Sequence, residues 1–404
     1  MLRVEEALER ILADIPRLEP EQVPLAEASG RVLAGAIASQ EEVPPFANSA
    51  MDGYALRSSD TQSATAQGPR RLRLVGIVQA GQVAERPLEA GEAMRILTGA
   101  PVPPGADAVI QQELTETGAD WVQVQAPVAQ GNNVRHAGED IRRGTQVLAE
   151  NAILGPSEIG VLASLGVAHV TIYRRPVVAI LATGDELVEI DQALRPGQIR
   201  NSNSYLIAAA TARAGGVPRP LGIARDQVEE LRAKLQAAQQ ADLIITSGGV
   251  SVGDYDLVKD IMREQGAIDF WRVNLRPGKP LAFGKLGSTP LLGLPGNPVS
   301  AAVTFELFAR PVLRKMQGFS QLLRPMVQAR LLNTVQESGS RRHYVRAQVT
   351  LQDGIFVART TGPQDSHILT SMVGANALLV IPENSPAVQP GGMVQAMLLV
   401  EGLG

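Results

Sequence analysis

Residues 242–256 read DLIITSGGVSVGDYD. The stretch opens on an apolar run, Leu243-Ile244-Ile245, breaks into Ser247-Gly248-Gly249, passes Ser251 and Gly253, and closes on Asp254 and Asp256. A helical pattern follows over residues 256–264. Strand, glycine loop, helix is the expected order. Glycines let a backbone approach a ligand with no side chain in the way. The start of a following helix offers unpaired N–H groups and a positive dipole end, which suit an anion. Acids at the end of the loop suit a divalent cation held against phosphate oxygens. Taken alone, the same residues also describe a tight turn, so the neighbouring segments have to decide.

Residues 176–316 repeat the pattern. A β-branched run at 177–182 leads into Thr183-Gly184-Asp185-Glu186. A helix over 205–214, capped by Ser202 or Asn203, ends at Gly215-Gly216, and a strand over 217–223 ends at Arg225-Asp226. A helix over 228–239 precedes the opening stretch. Late in the segment, Leu291-Leu292-Gly293-Leu294 leads into Pro295-Gly296-Asn297-Pro298, with Asn297 placed to cap a helix to about residue 315 and Pro298 at its first position. Such a βαβα succession implies a doubly wound, mainly parallel sheet covered on both faces. Ligands of such sheets bind outside the carboxyl ends of the strands. Four strand ends here carry TGDE, RD, SGGVSVGDYD and LPGNP, which bring Glu186, Asp226, Asp254 and Asp256 together with glycines and helix starts. That set points to phosphate and magnesium, although no Walker pattern occurs. Pro277-Gly278-Lys279-Pro280 reads as a rigid turn presenting a cation; the bland alternative is a surface lysine.

The flanks differ in character. Residues 3–15 form an amphipathic helix pattern, and 25–37 suggest a second, broken at Gly30. A proline-rich junction, Val43-Pro44-Pro45-Phe46, precedes NSAMDGYA, where the plain reading of Asp52-Gly53 is a turn. Period-two alternation at 72–76, 94–98 and 121–124 marks a β-rich segment over 46–145. It carries a second polar cluster, Arg135, Gly138, Glu139 and Asp140, which an ordinary solvated turn also explains. A helix over 157–165 suggests that the chain returns to its first domain, making 46–145 an insertion. Strand candidates at 327–332, 344–351, 355–360, 378–381 and 394–400 end the chain in a small all-β domain.

Composition limits the function. At 404 residues, two to four domains are expected. The net charge of -4 argues against broad nucleic-acid binding, and no apolar run reaches membrane-spanning length. The N-terminus lacks the pattern of a secretory signal, so a cytoplasmic protein is expected. There is no cysteine, which excludes disulfides, thiolate metal sites and a cysteine nucleophile, and the four histidines lack paired metal-ligand spacing. Hard-cation and oxyanion chemistry remain open.

Together, NSAMDGYA, ILTGAPVPPGADAV, GEDIRRG, ATGDEL, SGGVSVGDYD, RPGKPLAFGK and LPGNPVS resemble the molybdopterin molybdenumtransferases, the MoeA family that includes the gephyrin E domain. The resemblance covers essentially the whole chain, in the family's order. It implies four domains: 1–45 with 146–175, the inserted β-rich 46–145, the α/β molybdopterin-binding 176–322, and a C-terminal barrel-like domain over 323–404. It also implies an elongated homodimer, and a reaction that inserts molybdate into adenylated molybdopterin, with the adenylyl group hydrolysed and released as AMP and with Mg2+ as the ion. An adenylyltransferase supplying the pterin is the implied partner.

The family's functional acids match Asp52, Asp140, Glu186, Asp226 and Asp256; Thr98, Arg135 and Lys279 match its polar positions. Glu186, Asp226 and Asp256 are the implied metal ligands. Pro280, Ser300, Arg346 and Ser366 resemble positions that hold molybdate, and Thr183, Gly184, Ser247, Gly248, Gly249, Ser251, Pro295, Gly296 and Asn297 would line the pterin site. Two positions depart from the pattern. Asn201 stands where many relatives have Asp, and Arg276 where some have Lys. The alternatives are a non-catalytic pterin carrier or scaffold on this fold, and another nucleotide or pterin hydrolase.

Overall fold

The computed structural model describes residues 1–225, 227–248 and 266–400. Asp226, Gly249, Ser251, Asp254 and Asp256, with the helix expected after them, lie outside the described residues. The chain divides into two compact units, Met1–Glu21 with Ile172–Gly404, and Gln22–Thr171.

The first unit is built on a six-stranded sheet. Its order is Val217–Ala224, Val177–Thr183, Leu243–Ser247, Thr289–Leu294, Pro280–Leu286, Gly266–Arg272. The first four strands are parallel and the last two antiparallel. The central strands are apolar on both sides, and alternate residues feed separate cores. Ile180, Ile245, Leu292 and Leu294 pack with Ile207, Val299 and Phe308 and with Val4, Ala7 and Ile11 of the N-terminal helix Val4–Ala13. Ala179, Leu181, Ile244 and Leu291 pack on the other side with Leu231 and Leu235 of the helix Val228–Ala238. This is the doubly wound arrangement expected of a βαβα pattern. The antiparallel pair 266–286 was not expected, because RPGKPLAFGK shows prolines and glycine before it shows strand alternation.

The last long helix runs through Pro298–Thr304, a π-helical segment Phe305–Ala309, and Arg310–Met316. Pro311 explains the interruption. It has no N–H to give and its ring crowds the carbonyl one turn back, so the helix widens ahead of it.

The C-terminal strands close into a five-stranded barrel. Arg342–Gln352 pairs with both Ile355–Thr360 and Ala377–Ile381, and the circuit is completed by Met326–Leu331 and Met393–Leu398. A short strand, Leu275–Arg276, runs parallel to Arg342–His343 and ties the barrel to the α/β sheet.

In the second unit, six strands pair in the order Ala108–Gln111, Gly53–Leu56, Glu92–Ile96, Arg70–Val78, Trp121–Val124, Thr115–Thr117. Asp52-Gly53 is not the turn its residue types suggest. Gly53 opens a strand paired on both sides, and a Cβ there would lie 1.9 Å from the Ile110 carbonyl oxygen. The helix expected over 25–37 reduces to one 3-10 turn, Leu25–Glu27. Beyond it the chain is extended, pairing Val32 with Ile153 and Ile37–Ala38 with Gln146–Leu148. Those neighbouring strands override the helical pattern. No helix among the described residues is long and apolar enough to cross a membrane.

Candidate active site

At the carboxyl ends of the parallel strands lies a cleft of about 910 Å³. The ends of Val177–Thr183 and Leu243–Ser247 bring Thr183, Ser247 and Gly248 to its floor, and the turn after Thr289–Leu294 adds Pro295, Gly296 and Asn297. Gly248 has φ +89, and a Cβ there would meet the Thr183 carbonyl oxygen at 2.7 Å, so the two strand ends can close only around glycine.

One side chain ties these loops together. Asn203, the second residue of the helix Ser202–Arg213, donates from Nδ2 to Ser247 Oγ and to the Gly296 carbonyl, both at 2.7 Å. The expected cap by Ser202 or Asn203 is instead Asn201, whose side chain accepts from the Ser204 N–H at 3.2 Å. An amide oxygen serves as a cap as well as a carboxylate does, so the departure to Asn201 keeps the helix start while removing a charge from the cleft.

Glu186 lines the cleft, with its carboxylate folded over Gly184. Gly184 has φ +144, and a Cβ there would lie 2.5 Å from Glu186 Oε2. The glycine of TGDE therefore leaves the space that the carboxylate fills. Among the described residues no three acids or histidines form a metal-holding group. Of the expected metal ligands only Glu186 can be located, since Asp226 and Asp256 lie outside the described residues.

Lys279 and Pro280 line a wall of the cleft with Arg276; Lys279 lies in the short link between the strands Leu275–Arg276 and Pro280–Leu286 rather than in an assigned turn. Ser300 is buried on that wall, and Ser366 reaches it from the barrel. Asn297 sits at the N-cap position, but its side chain accepts no helix N–H. Its Nδ2 instead donates to Ser366 Oγ at 3.0 Å, and the Ser366 carbonyl accepts from the Val299 N–H at 3.1 Å. The barrel loop thus caps this helix, and one of the N–H groups expected to face an anion is already taken.

Arg346 does not line the cleft. Its guanidinium is fully buried behind the wall, donating to Ser371 Oγ and to the carbonyls of Pro363, Gln364 and Asp365. Burial pulls its pKa down to about 10, which leaves it protonated at neutral pH. Beside it, buried His343 has no partner for either ring nitrogen among the described residues. Burial, then the nearby Arg276, Arg346 and Arg341, push its pKa down to about 4, so it is neutral at pH 7.

Sequence reasoning missed Arg200, Arg341, Gln364, Asp365 and His367, all on the cleft. They sit beside Pro196-Gly197, Gly339 and Gly362-Pro363, turn signals that do not say which neighbouring side chain reaches the cleft. The pair Arg341-Arg342 ahead of a strand and the run Asp365-Ser366-His367 were the other local hints. Arg200, Arg276, Lys279 and Arg341 face Glu186 and Asp365, so the described lining is net cationic. Partly enclosed cationic walls of this kind favour phosphates and oxyanions.

The remaining expected residues belong to the second unit. Asp52 accepts from the Thr98 N–H at 2.7 Å and from Thr98 Oγ1 at 2.8 Å. These two bonds, backbone first, hold its carboxyl below the usual range. Arg135 lies on the short strand Val134–Arg135, paired with Asn48–Ser49, and exposed Asp140 donates its N–H to the Val43 carbonyl at 3.0 Å.

Residues 2–166 match the MoeA N-terminal region (domain I and II), 179–315 a probable molybdopterin binding domain, and 328–399 the MoeA C-terminal region (domain IV). The chain is 40% identical over 395 residues to molybdopterin molybdenumtransferase 2 of Mycobacterium tuberculosis, covering 96% of this chain and 97% of that one. The chain belongs to the MoeA family of molybdopterin molybdenumtransferases. Gephyrin of Dictyostelium discoideum is 36% identical over 99% of this chain and 62% of its own length. The molybdopterin biosynthesis MoeA protein from Pyrococcus horikosii superposes with a TM-score of 0.86 at 32% identity, covering all of both chains. Family membership makes the chain an enzyme of molybdenum cofactor biosynthesis, a transferase acting on molybdopterin. The multidomain architecture with a central α/β domain and a C-terminal barrel is that of the family.

Proposed function

We propose that the cleft binds adenylated molybdopterin and molybdate, inserts the molybdenum between the dithiolene sulfurs of the pterin, and releases the adenylyl group by hydrolysis as AMP. The observation that carries this reading is the cationic lining of a deep cleft at the strand ends, in a chain without cysteine. Molybdate is a tetrahedral dianion, and Lys279, Ser300 and Ser366 offer it charge and donors. The soft ligands come from the pterin, so the protein needs none. Pterin and phosphates would lie along Thr183, Ser247, Gly248 and the Pro295-Gly296-Asn297 segment, with Gly249 and Ser251, next in the sequence, as further contacts in this reading.

A hard cation takes one or two carboxylates and completes its shell with phosphate oxygens and water. Glu186, on the cleft, fits that demand for Mg2+, and Asp226 and Asp256 are the further ligands in this reading. Bound there, the ion would offset charge developing at the attacked phosphorus. Asp52, Thr98, Arg135 and Asp140 form the polar set of the inserted segment 46–145. The insertion itself is supported by the chain leaving and returning side by side, with Val43 bridged to Ile141 and Ile37–Ala38 to Gln146–Leu148. The reading includes a cytoplasmic homodimer supplied by an adenylyltransferase.

The test is AMP release from adenylated molybdopterin with magnesium, with and without molybdate. Molybdate-dependent release with molybdenum kept on the pterin is expected. Binding of the pterin without release, or release indifferent to molybdate, overturns the proposal.

A further inference from the structure

Two arginines at the start of one barrel strand, Arg341 and Arg346, are used differently, and only Arg341 lines the cleft. Arg346 lies within the strand Arg342–Gln352 and spends its guanidinium on protein. Nε donates to Ser371 Oγ at 3.0 Å, Nη1 to the Gln364 carbonyl at 3.1 Å, and Nη2 to the Pro363 and Asp365 carbonyls at 3.3 and 3.2 Å. Three successive carbonyls therefore converge on one buried charge. Carbonyls bonded to a buried cation are costly to leave unpaired, so this clamp holds the backbone of 363–365. Ser366 follows directly, docked on Asn297 and Val299.

Arg341, just before the same strand, has none of these ties. It is partly buried on the cleft wall, and no described residue gives it a hydrogen-bond or ion-pair partner. The parallel pairing of Leu275–Arg276 with Arg342–His343 puts Arg276 and Arg341 on one wall. A guanidinium kept at a cleft with no partner among the described residues, beside a second cation on the same wall, is repelled by its neighbour unless an anion sits between them.

We propose that Arg341 is a further anion-binding residue of this cleft, meeting a phosphate or oxyanion of the substrate alongside Arg276 and Lys279, while Arg346 acts behind the wall as a positioning residue for the loop that carries Ser366. The proposal rests on the function proposed above and specifies which barrel cation touches the substrate. Phosphate and molybdate present the same chemistry to a guanidinium fork, and the test separates them.

The experiment is calorimetric titration of the full-length chain with molybdate alone and, separately, with AMP alone. The chains compared are wild type, Arg341→Gln, Arg341→Lys, Arg346→Lys, Ser366→Ala and the Arg346→Lys/Ser366→Ala pair, with thermal midpoints recorded for each. Arg341→Gln is expected to weaken one of the two anions about tenfold or more, the size of one charge-assisted hydrogen bond, without lowering the thermal midpoint. The anion affected identifies the group that Arg341 meets. Arg341→Lys should recover part of the loss, since it keeps the charge and loses the fork. Arg346→Lys should lower the thermal midpoint, and once it is present Ser366→Ala should cost little more affinity, because the hydroxyl is already misplaced. If Arg341→Gln binds both anions like wild type, or if the Arg346 and Ser366 losses simply add, the inference fails while the proposed function stands. A wild-type chain that takes up neither anion overturns both.

Discussion

Replacing Asn203 by alanine removes a side chain that joins three of the segments forming the cleft floor. Two hydrogen bonds of 2.7 Å are lost, one to Ser247 Oγ and one to the Gly296 carbonyl. Their weights differ. Gly296 is exposed, so water can take over its carbonyl, and that loss is a few tenths of a kcal/mol. Ser247 is buried at 3% exposure, and leaving its hydroxyl without this partner costs about 1–2 kcal/mol. A total of about 1–2 kcal/mol corresponds to a fall of about 2–8 °C in the thermal midpoint of a unit this size. Thermal unfolding followed by circular dichroism measures it. Asn203→Asp is the informative companion. Its carboxylate can still accept from the Ser247 hydroxyl but meets the Gly296 carbonyl as acceptor facing acceptor, and it adds a negative charge to a cleft built for anions. Stability between wild type and Asn203→Ala, with weaker molybdate or AMP binding than either, is expected. If Asn203→Ala shifts the midpoint by less than about 1 °C, the bridge contributes nothing and the reasoning from its two short bonds is refuted.

Two further outcomes follow from the same geometry. Gly184→Ala places a methyl group 2.5 Å from Glu186 Oε2, so the carboxylate must leave its position; AMP release should fall at least about tenfold and need more magnesium, and an unchanged magnesium dependence would remove Glu186 from the metal site. His343 is neutral in the folded chain with a pKa lowered to about 4 from 6.5, so the unfolded chain binds the extra proton first as pH falls. Its stabilising effect is complete above pH 6.5 and is lost as pH drops through 4, a change on the order of 3 kcal/mol. Urea titrations between those pH values should show that slope in the wild type and a flatter one in His343→Leu; parallel slopes would contradict it.

The sequence by itself determined the alternation of elements, the strand ends that carry polar loops, and the family. These are local or ordered properties: a both-sided apolar run such as Leu243-Ile244-Ile245 must be buried, and glycines such as Gly184 and Gly248 sit where the chain has to approach itself. Glu186, Lys279 and Ser300 lie in or beside such signatures, Ser366 was legible only through the family resemblance, and all four line the cleft. Tertiary structure alone decided how they are used. Asp52-Gly53 has the composition of a turn and becomes the head of a central strand, because register with Ile96 and Gln111 outweighs a dipeptide preference. Asn297 looks like a cap and instead donates to Ser366, because the barrel loop reaches the helix first. Arg341 and Arg346 stand five positions apart with the same side chain; one faces the cleft and the other is sealed behind it. A sequence states which charges a chain carries. Only packing decides which of them water and substrate can reach, since that depends on chain segments brought together from far along the sequence.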